Sequence, residues 1–516
     1  MLESSPLLVG RRREKTKLRI SYTDKAAIII GVVAALCVGA IYYVARTTVH
    51  DVAMINMRAN TNLDFSGDLR DRCSEHYMEQ PLNHFKAIPD SYRQRYFICD
   101  EFWTSPTGPI FFYFGHDDDV ELYLNHTGLM WENAPEFGAM LVFAEHRFFG
   151  KSMPRNAVSH LEHLSSKQVL ADHAALINHI KRSNDGTTAS PVIGFGGSYG
   201  AMLGIWFHTI YLEVMAGLVA AAAPLVRFLG GDPLGNSTAL VYNVSRTVIM
   251  TETCASNIQR AWNLVLEAAK SPEEMERLQS QLGLCEPLAS AGDVNALVEW
   301  IQTSYNSLTS GSLPSMSLSI VSRLKALAET PLQEARAPLA SPFPLTTAGN
   351  SSLLGALRES IDAIYNSTAD KSCYSVATSP QDDIRDCLFC LESNPLQDLA
   401  RMRSSPQLPV FQRQNCATKW KLSSPSSTSH YKSWNAVRSL TNLVLSYNPS
   451  DPWTNSEMLQ GLSDSTIVIE IHDDARNLDL MFSSILDSES VKAARIEERK
   501  HMKRWIQPAR PSINPR

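Results

Sequence analysis

The sequence predicts an α/β protein: a parallel sheet wrapped by helices, interrupted by a helical insertion and then completed. Three observations carry the prediction. Residues 192–207 (VIGFGGSYGAMLGIWF) join a strand-like apolar run to a helix-like one through Gly196-Gly197-Ser198-Tyr199-Gly200. Strand-like and helix-like segments alternate before this turn, as in a parallel sheet with crossover helices. Residues from about 240 to 410 are rich in Leu, Ala, Glu, Gln and Ser with few strand-like runs, and strand character returns only near residue 442.

With 516 residues the chain can bury a large core and form more than one structural unit. Its 19% charged residues and net charge of −6 fit a globular protein and give no reason to expect a nucleic-acid partner. No Gly-rich phosphate loop, CxxC array or HExxH pattern occurs, so neither a cofactor nor a metal is expected.

From the amino terminus, residues 1–25 read as a cytosolic tail, 26–45 as a transmembrane anchor and 46–72 as a polar stalk. The run 26–45 is uncharged and matches the roughly 20 residues a helix needs to cross a bilayer. Arg11, Arg12, Arg13, Lys15, Lys17, Arg19 and Lys25 precede it. By the positive-inside rule they hold the tail in the cytosol and put everything after Arg46 on the lumenal or outer side, a single-pass type II topology. A cleaved signal peptide is the competing reading, although its apolar core and basic leader are usually shorter. Glu3, Leu7 and Leu8 form an acidic dileucine pattern, the kind that clathrin adaptors read on tails bound for endosomes and lysosomes. Residence there is expected, with the cell surface as the alternative.

Cysteine usage agrees with this topology. Cys37 lies in the span, and Cys73, Cys99, Cys254, Cys285, Cys373, Cys387, Cys390 and Cys416 lie beyond it. An even number on the oxidising side suggests disulfides without fixing their pairing, and the CxxC-spaced Cys387 and Cys390 read as structural. The sequons at Asn125, Asn236, Asn243, Asn350 and Asn366 also lie past the span and fit a glycosylated lumenal domain.

Residues 73–228 read as the first part of the sheet core. Strands are expected over 92–103, 109–115, 139–145 and 192–195, with a helix over 166–182 whose apolar residues recur at helical spacing. Residues 229–435 read as the helical cap insertion, with helices over 255–269 and 289–305. Residues 436–516 complete the core with strands over 442–446 and 466–471 and a charged amphipathic helix over 489–506. This is the layout of an α/β-hydrolase, and the Gly-Gly-Ser-Tyr-Gly turn is its nucleophile elbow. Side chains at Gly196 or Gly200 would collide with neighbouring backbone, and the strained turn lifts the Ser198 hydroxyl clear of the sheet. The hydroxyl becomes a nucleophile only when a base takes its proton.

The triad order in this fold is Ser, Asp, His. Ser198 is followed by Asp451, which comes after a late strand in Ser450-Asp451-Pro452-Trp453. At this point the chain resembles the serine peptidase family of lysosomal Pro-X carboxypeptidase, dipeptidyl peptidase II and thymus-specific serine protease. The resemblance runs from about residue 75 to the carboxyl end and is weakest in the helical middle. It is carried by residues 77–85 (YMEQPLNHF), Gln94-Arg95-Tyr96, 108–115, 125–131 (NHTGLMW), 140–154 (MLVFAEHRFFGKSMP), the elbow, Asp451-Pro452-Trp453 and Leu478-Asp479-Leu480. A generic lipase has the elbow but not these flanks.

The resemblance implies a catalytic Ser198 and Asp451, and a His in a G-A-H-H-L-D-L stretch. Here that stretch reads Asp474-Ala475-Arg476-Asn477-Leu478-Asp479-Leu480, with both histidine positions replaced by Arg476 and Asn477. Neither can act as a base, because Arg stays protonated and an amide does not titrate. Loss of the triad His costs on the order of 10⁶ in kcat in a well-studied hydrolase. His472 sits four residues earlier, roughly 13 Å along a strand, too far for the hydrogen bond a base must make. His501 in the last helix reads as a surface residue.

The resemblance also places the oxyanion and substrate loop at Gly115, His116 and Asp117, with Tyr199 following the nucleophile. The family's G-N-E-G becomes Gly115-His116-Asp117-Asp118, so Asp118 adds negative charge where an oxyanion must be stabilised. The family's Q-x-C-T-E loses its acid around Cys416, and the segment from there to Asn442 is short for the family.

Two functions follow. One is a membrane-anchored serine exopeptidase acting on proline-containing peptides. The other, which the missing base favours, is a pseudoenzyme with lost or strongly reduced peptidase activity that binds a peptide or protein ligand. An esterase is a distant third. The expected partners are such a ligand and a clathrin adaptor on the tail, and a homodimer stays open.

Overall fold

The computed structural model describes Phe65, residues 67–183, 187–229, 252–310, 335–365, 372–376, 380–392, Trp420, 430–449, Asp451, Thr454, 459–473, 477–485 and 487–507. The expected anchor over 26–45, the dileucine residues Glu3, Leu7 and Leu8, Asn236, Asn243, Asn366, Cys416 and Arg476 lie outside the described residues. Among the described residues no helix is long and apolar enough to cross a membrane. The chain divides into Met1–Gly67 and Asp68–Arg516. The second unit takes in residues 68–72 of the expected stalk, where the 3-10 turn Leu69–Arg72 bonds through the Leu69 amide to the Asn125 side chain at 2.8 Å.

This unit is built on one mixed sheet of eight strands: β1 (Ser74–Pro81), β2 (Ser91–Cys99), β3 (Ile110–Tyr113), β4 (Met140–Ala144), β5 (Val192–Gly197), β6 (Gly217–Ala221), β7 (Leu443–Tyr447) and β8 (Thr466–Glu470). Their spatial order is β1-β2-β4-β3-β5-β6-β7-β8, with β2 antiparallel to both its neighbours and every pair from β4 to β8 parallel. That order, with a sharp strand-to-helix turn after β5, is the α/β-hydrolase arrangement expected from the sequence. Strands β3 to β7 are buried along their whole length, as a parallel sheet covered on both faces requires.

Twelve α-helices are described: α1 (Val120–His126), α2 (Gly128–Phe137), α3 (Ser166–Ser183), α4 (Tyr199–Ile210), α5 (Leu225–Leu229), α6 (Glu252–Ala268), α7 (Pro272–Leu282), α8 (Ala291–Ser310), α9 (Thr347–Tyr365), α10 (Pro380–Glu392), α11 (Trp434–Arg438) and α12 (Glu489–Ile506). Helix α4 is apolar almost all round and buried down to His208, the pattern of a helix packed inside a core. Helices α6 to α9 enclose a hydrophobic core of their own, with Trp262, Val265, Leu278, Leu297, Ile301 and Leu357 inside. Helix α10 instead packs Ile384, Cys387 and Leu388 into the core that surrounds the sheet.

Two disulfides are formed among the described residues, Cys73–Cys99 between the start of β1 and the end of β2, and Cys285–Cys373 within the helical insertion. His501 departs from the surface position expected of it. It is buried on the inner face of α12, with its ring 6.3 Å from that of Trp505.

Candidate active site

The elbow follows from two missing side chains. Ser198 takes φ 50° and ψ −119°, between the end of β5 and the first residue of α4. A Cβ on Gly196 would sit 2.4 Å from the Gly200 carbonyl oxygen, and one on Gly200 would sit 2.5 Å from that of Gly115. No larger residue fits either place. The Ser198 N–H donates to the Ala221 carbonyl at 2.9 Å and the Ala222 N–H to the Ser446 carbonyl at 2.8 Å. The serine is thereby locked to the carboxyl ends of β6 and β7, and it is only 5% exposed.

Asp451 lies just beyond β7, buried at 6% exposure, with its N–H donating to the Asn448 carbonyl at 2.8 Å. The Thr454 hydroxyl, three residues on, donates to the Ala223 carbonyl, which ties the turn carrying the acid to the segment that follows β6. The sheet order therefore places the nucleophile after β5 and the acid after β7, at the same edge with β6 between them.

The loop after β8 carries the position of the base. Asn477 stands in the left-handed region at φ 59°. Its Cγ is 3.2 Å from where a Cβ on Gly197 would lie, so the amide rests against the elbow. Its Oδ1 is buried without a hydrogen-bond partner among the described residues. The segment that follows Asn477 is tightly held. The Arg495 guanidinium, buried beneath it on α12, donates to the carbonyls of Leu478 (2.6 Å), Asp479 (3.1 Å), Met481 (2.9 Å) and Phe482 (3.3 Å), and pairs with Asp487 at 2.5 Å. The Leu129 N–H donates to the Leu480 carbonyl at 3.0 Å, and Asp479 accepts from the Ser446 hydroxyl at 2.5 Å. Asp479 also faces Glu498, and burial followed by this neighbour pushes the Glu498 carboxyl well above its ordinary range. His472 is exposed, and both its backbone groups bond the Ser490 hydroxyl at 3.1 Å, away from the elbow.

The loop after β3 closes over the elbow. His116 stacks on Tyr123 at 5.2 Å and meets Tyr199 edge-on at 6.0 Å, and its Nδ1 contacts the Asp117 carboxylate. The acidic pair Asp117 and Asp118 meets a cation here. Arg385 of α10 reaches into the loop, with Nε 2.9 Å from Asp117 Oδ2, Nη2 2.9 Å from the Asp117 carbonyl and Nη2 3.2 Å from Asp118 Oδ2. Burial alone would raise Asp117, yet His116 and Arg385 hold its carboxyl well below the usual range, whereas burial raises Asp118. The helical insertion thus supplies a cation that no motif announces.

The AEHRFFGKS stretch works as scaffold. Glu145 accepts from Arg95 (2.5 Å), the Ser152 hydroxyl (2.7 Å) and the amides of Lys151 (2.9 Å) and Val120 (3.3 Å), fixing the start of α1 and so the loop before it. Arg147 pairs with Asp172 of α3 at 2.7 Å. Burial would raise Asp172, but Arg147 and His84 bring it down to about 2. His146 is neutral: burial lowers it to about 4, its Nδ1 donates to the Arg147 carbonyl at 2.6 Å, and Nε2 accepts from the Tyr199 hydroxyl at 3.3 Å. His173, held edge-on to Phe112 and Phe114 and lowered by burial to about 3, is part of the core. Among the candidate glycosylation sites, Asn125 uses both atoms of its amide, and Asn350 Oδ1 accepts from Arg260 Nε at 3.1 Å.

Comparison with known proteins agrees with this construction. The profile of the family described as serine carboxypeptidase S28 matches residues 80–326. Mouse lysosomal Pro-X carboxypeptidase is 31% identical over 452 residues, covering 83% of this chain and 88% of that protein. Prolyl carboxy peptidase like protein 5 of Caenorhabditis elegans is 29% identical over 471 residues, covering 84% and 90%. Human thymus-specific serine protease is 28% identical over 238 residues, covering 44% and 45%. With elbow, strand order and extended similarity in agreement, the chain belongs to the serine carboxypeptidase S28 family.

Proposed function

We propose that this chain is a membrane-anchored, lysosome-directed S28 protein that keeps the nucleophile elbow and the acid but has lost ordinary peptidase activity, or retains little of it. Its remaining role is to bind a peptide or protein ligand at the lumenal face. One observation carries the reading: Asn477 stands against the elbow, followed by residues 478–482 braced by Arg495, and the sequence has Arg476 and Asn477 where an imidazole is needed. Asp451 then has no imidazole to orient, and Ser198 keeps the reactivity of a plain hydroxyl. Labelling with a fluorophosphonate probe tests this, since the probe reacts only with an activated serine. Absence of Ser198-dependent labelling is expected.

The location rests on the dileucine pattern, the basic flank and the sequons, together with relatives named as lysosomal. Glycosidase treatment should shift the mobility of the expressed protein, and Leu7→Ala with Leu8→Ala should redistribute it away from lysosomes. An unchanged mobility or distribution would remove the corresponding part of the reading.

A second reading, an active exopeptidase cleaving proline-containing peptides, is favoured by His116. This imidazole is paired with Asp117, and its Cδ2 lies 4.0 Å from where a Cβ on Gly200 would stand, which supports it as a candidate base beside the elbow. If the unmodified protein cleaves such a substrate, and Ser198→Ala and His116→Asn each abolish cleavage, His116 serves as the base and the first reading fails.

A further inference from the structure

Away from the elbow, the segment between β4 and α3 contains a 3-10 turn, Ala157–His163, with the sequence Ala-Val-Ser-His-Leu-Glu-His. In a 3-10 helix residues three apart project from one face. The turn bends at His160 (φ −127°, ψ 19°), and the His160 and His163 rings nonetheless lie near parallel, 18° apart with centroids at 6.3 Å. Glu162 Oε1 approaches His163 Nε2 at 3.6 Å. One donor atom from each of the three residues lies within 4.8 Å of the other two. The arrangement differs from an HExxH zinc helix, in which the two histidines sit four apart on an α-helix.

We propose that His160, Glu162 and His163 form a surface site for a zinc-class divalent cation. Two imidazole nitrogens bound to one zinc at about 2.0–2.1 Å stand about 3.4 Å apart at the tetrahedral angle, so side-chain rotation alone closes the observed spacing. Two imidazoles and one carboxylate suit a borderline metal such as Zn²⁺, whereas Mg²⁺ and Ca²⁺ take oxygen ligands. The cluster is partly exposed, which leaves the fourth position to water. Its backbone is fixed from below: Leu161 is buried in the core, and the His163 carbonyl accepts from Arg147 Nη1 at 3.3 Å and from the Ser165 amide at 3.0 Å.

The test is zinc binding to the full-length purified protein, measured by equilibrium dialysis against a chromophoric chelator, with Co²⁺ absorption as a second readout of ligand geometry. The wild type should bind a zinc that the double variant His160→Ala with His163→Ala does not, and either single change should weaken it by about tenfold or more. Glu162→Gln should weaken it less, and an excess of Mg²⁺ should not displace it. Metal-free thermal unfolding checks that the variants fold, with glutamine replacing alanine if one does not. If the double variant retains the wild-type stoichiometry and affinity, or if Mg²⁺ displaces the zinc, the proposal is overturned.

Discussion

Restoring both histidines, Arg476→His with Asn477→His, is the sharpest test of how the site was altered. On the proposed reading, the deficit to be recovered is that of a hydrolase without its triad His, on the order of 10⁶ in kcat, about 8 kcal/mol of transition-state stabilisation. The structure says how much should return. The segment that follows Asn477 is already fixed, because Arg495 collects the carbonyls of Leu478, Asp479, Met481 and Phe482 and Leu129 that of Leu480. Asn477 Cγ already lies 3.2 Å from where a Cβ on Gly197 would stand, so an imidazole there starts against the elbow. The remaining loss lies in the oxyanion loop, where Asp117 and Asp118 are occupied with Arg385. A missing oxyanion donor costs about 10²–10³ in kcat. The double variant should therefore hydrolyse a proline-containing dipeptidyl or carboxy-terminal substrate about 10³–10⁴ times faster than the parent. The assay is steady-state hydrolysis by the full-length protein, with Ser198→Ala added as the control. A folded double variant that neither reacts with a fluorophosphonate nor gains hydrolysis would refute the claim that the missing base is what silences the elbow.

Three further outcomes follow from the fold. Asp172 has its folded pKa lowered to about 2, so the unfolded chain binds more protons; its contribution, about 2 kcal/mol, is present above about pH 4 and lost as pH falls towards 2, and the gap between wild type and Asp172→Asn in denaturant unfolding should close over that window. Glu498 has its folded pKa raised, so the folded chain holds the extra proton; its stabilisation is present at acid pH and declines as pH rises above its ordinary range, and Glu498→Gln should flatten that decline in thermal melts. Cys285→Ser with Cys373→Ser opens a loop of 88 residues and should cost about 4–5 kcal/mol in chemical unfolding, unless the unfolded chain is already compact there.

What could be read from the sequence was whatever local chemistry dictates. The elbow is legible because its glycines are forced by backbone contacts only a few residues away. The buried strands are legible as apolar runs, and the expected helix over 489–506 coincides with α12. Strand β1 escapes because it is a sheet edge: its residues are mostly exposed or half-buried and polar, so no apolar face marks it. Strand β6 escapes for the opposite reason, since Gly-Leu-Val-Ala-Ala is too short and too small to be told from the end of a helix. His501 was misplaced because α12 is charged on most of its surface, and its buried stripe, with Arg495 and Glu498, is itself polar.

The site divides along the same line. Ser198 and Asp451 are found by pattern, and the replacement at 476 and 477 is visible as soon as the pattern is known. Arg385 is not, because it meets Asp117 across 268 residues and sits in a helix whose sequence carries no motif. Its position changes the argument about the oxyanion loop. Two acidic residues at the mouth of an active site suggest repulsion of a developing anion, but with a guanidinium between them they form a salt-bridged plug. The plug joins the loop to the helical insertion. What the sequence presents as a defect in catalysis is, in the folded chain, also a contact between α10 and the loop after β3, and it depends on α10 remaining where it is. A substitution of Arg385 should therefore act first on how α10 holds the loop after β3 and only second on the charge above Ser198.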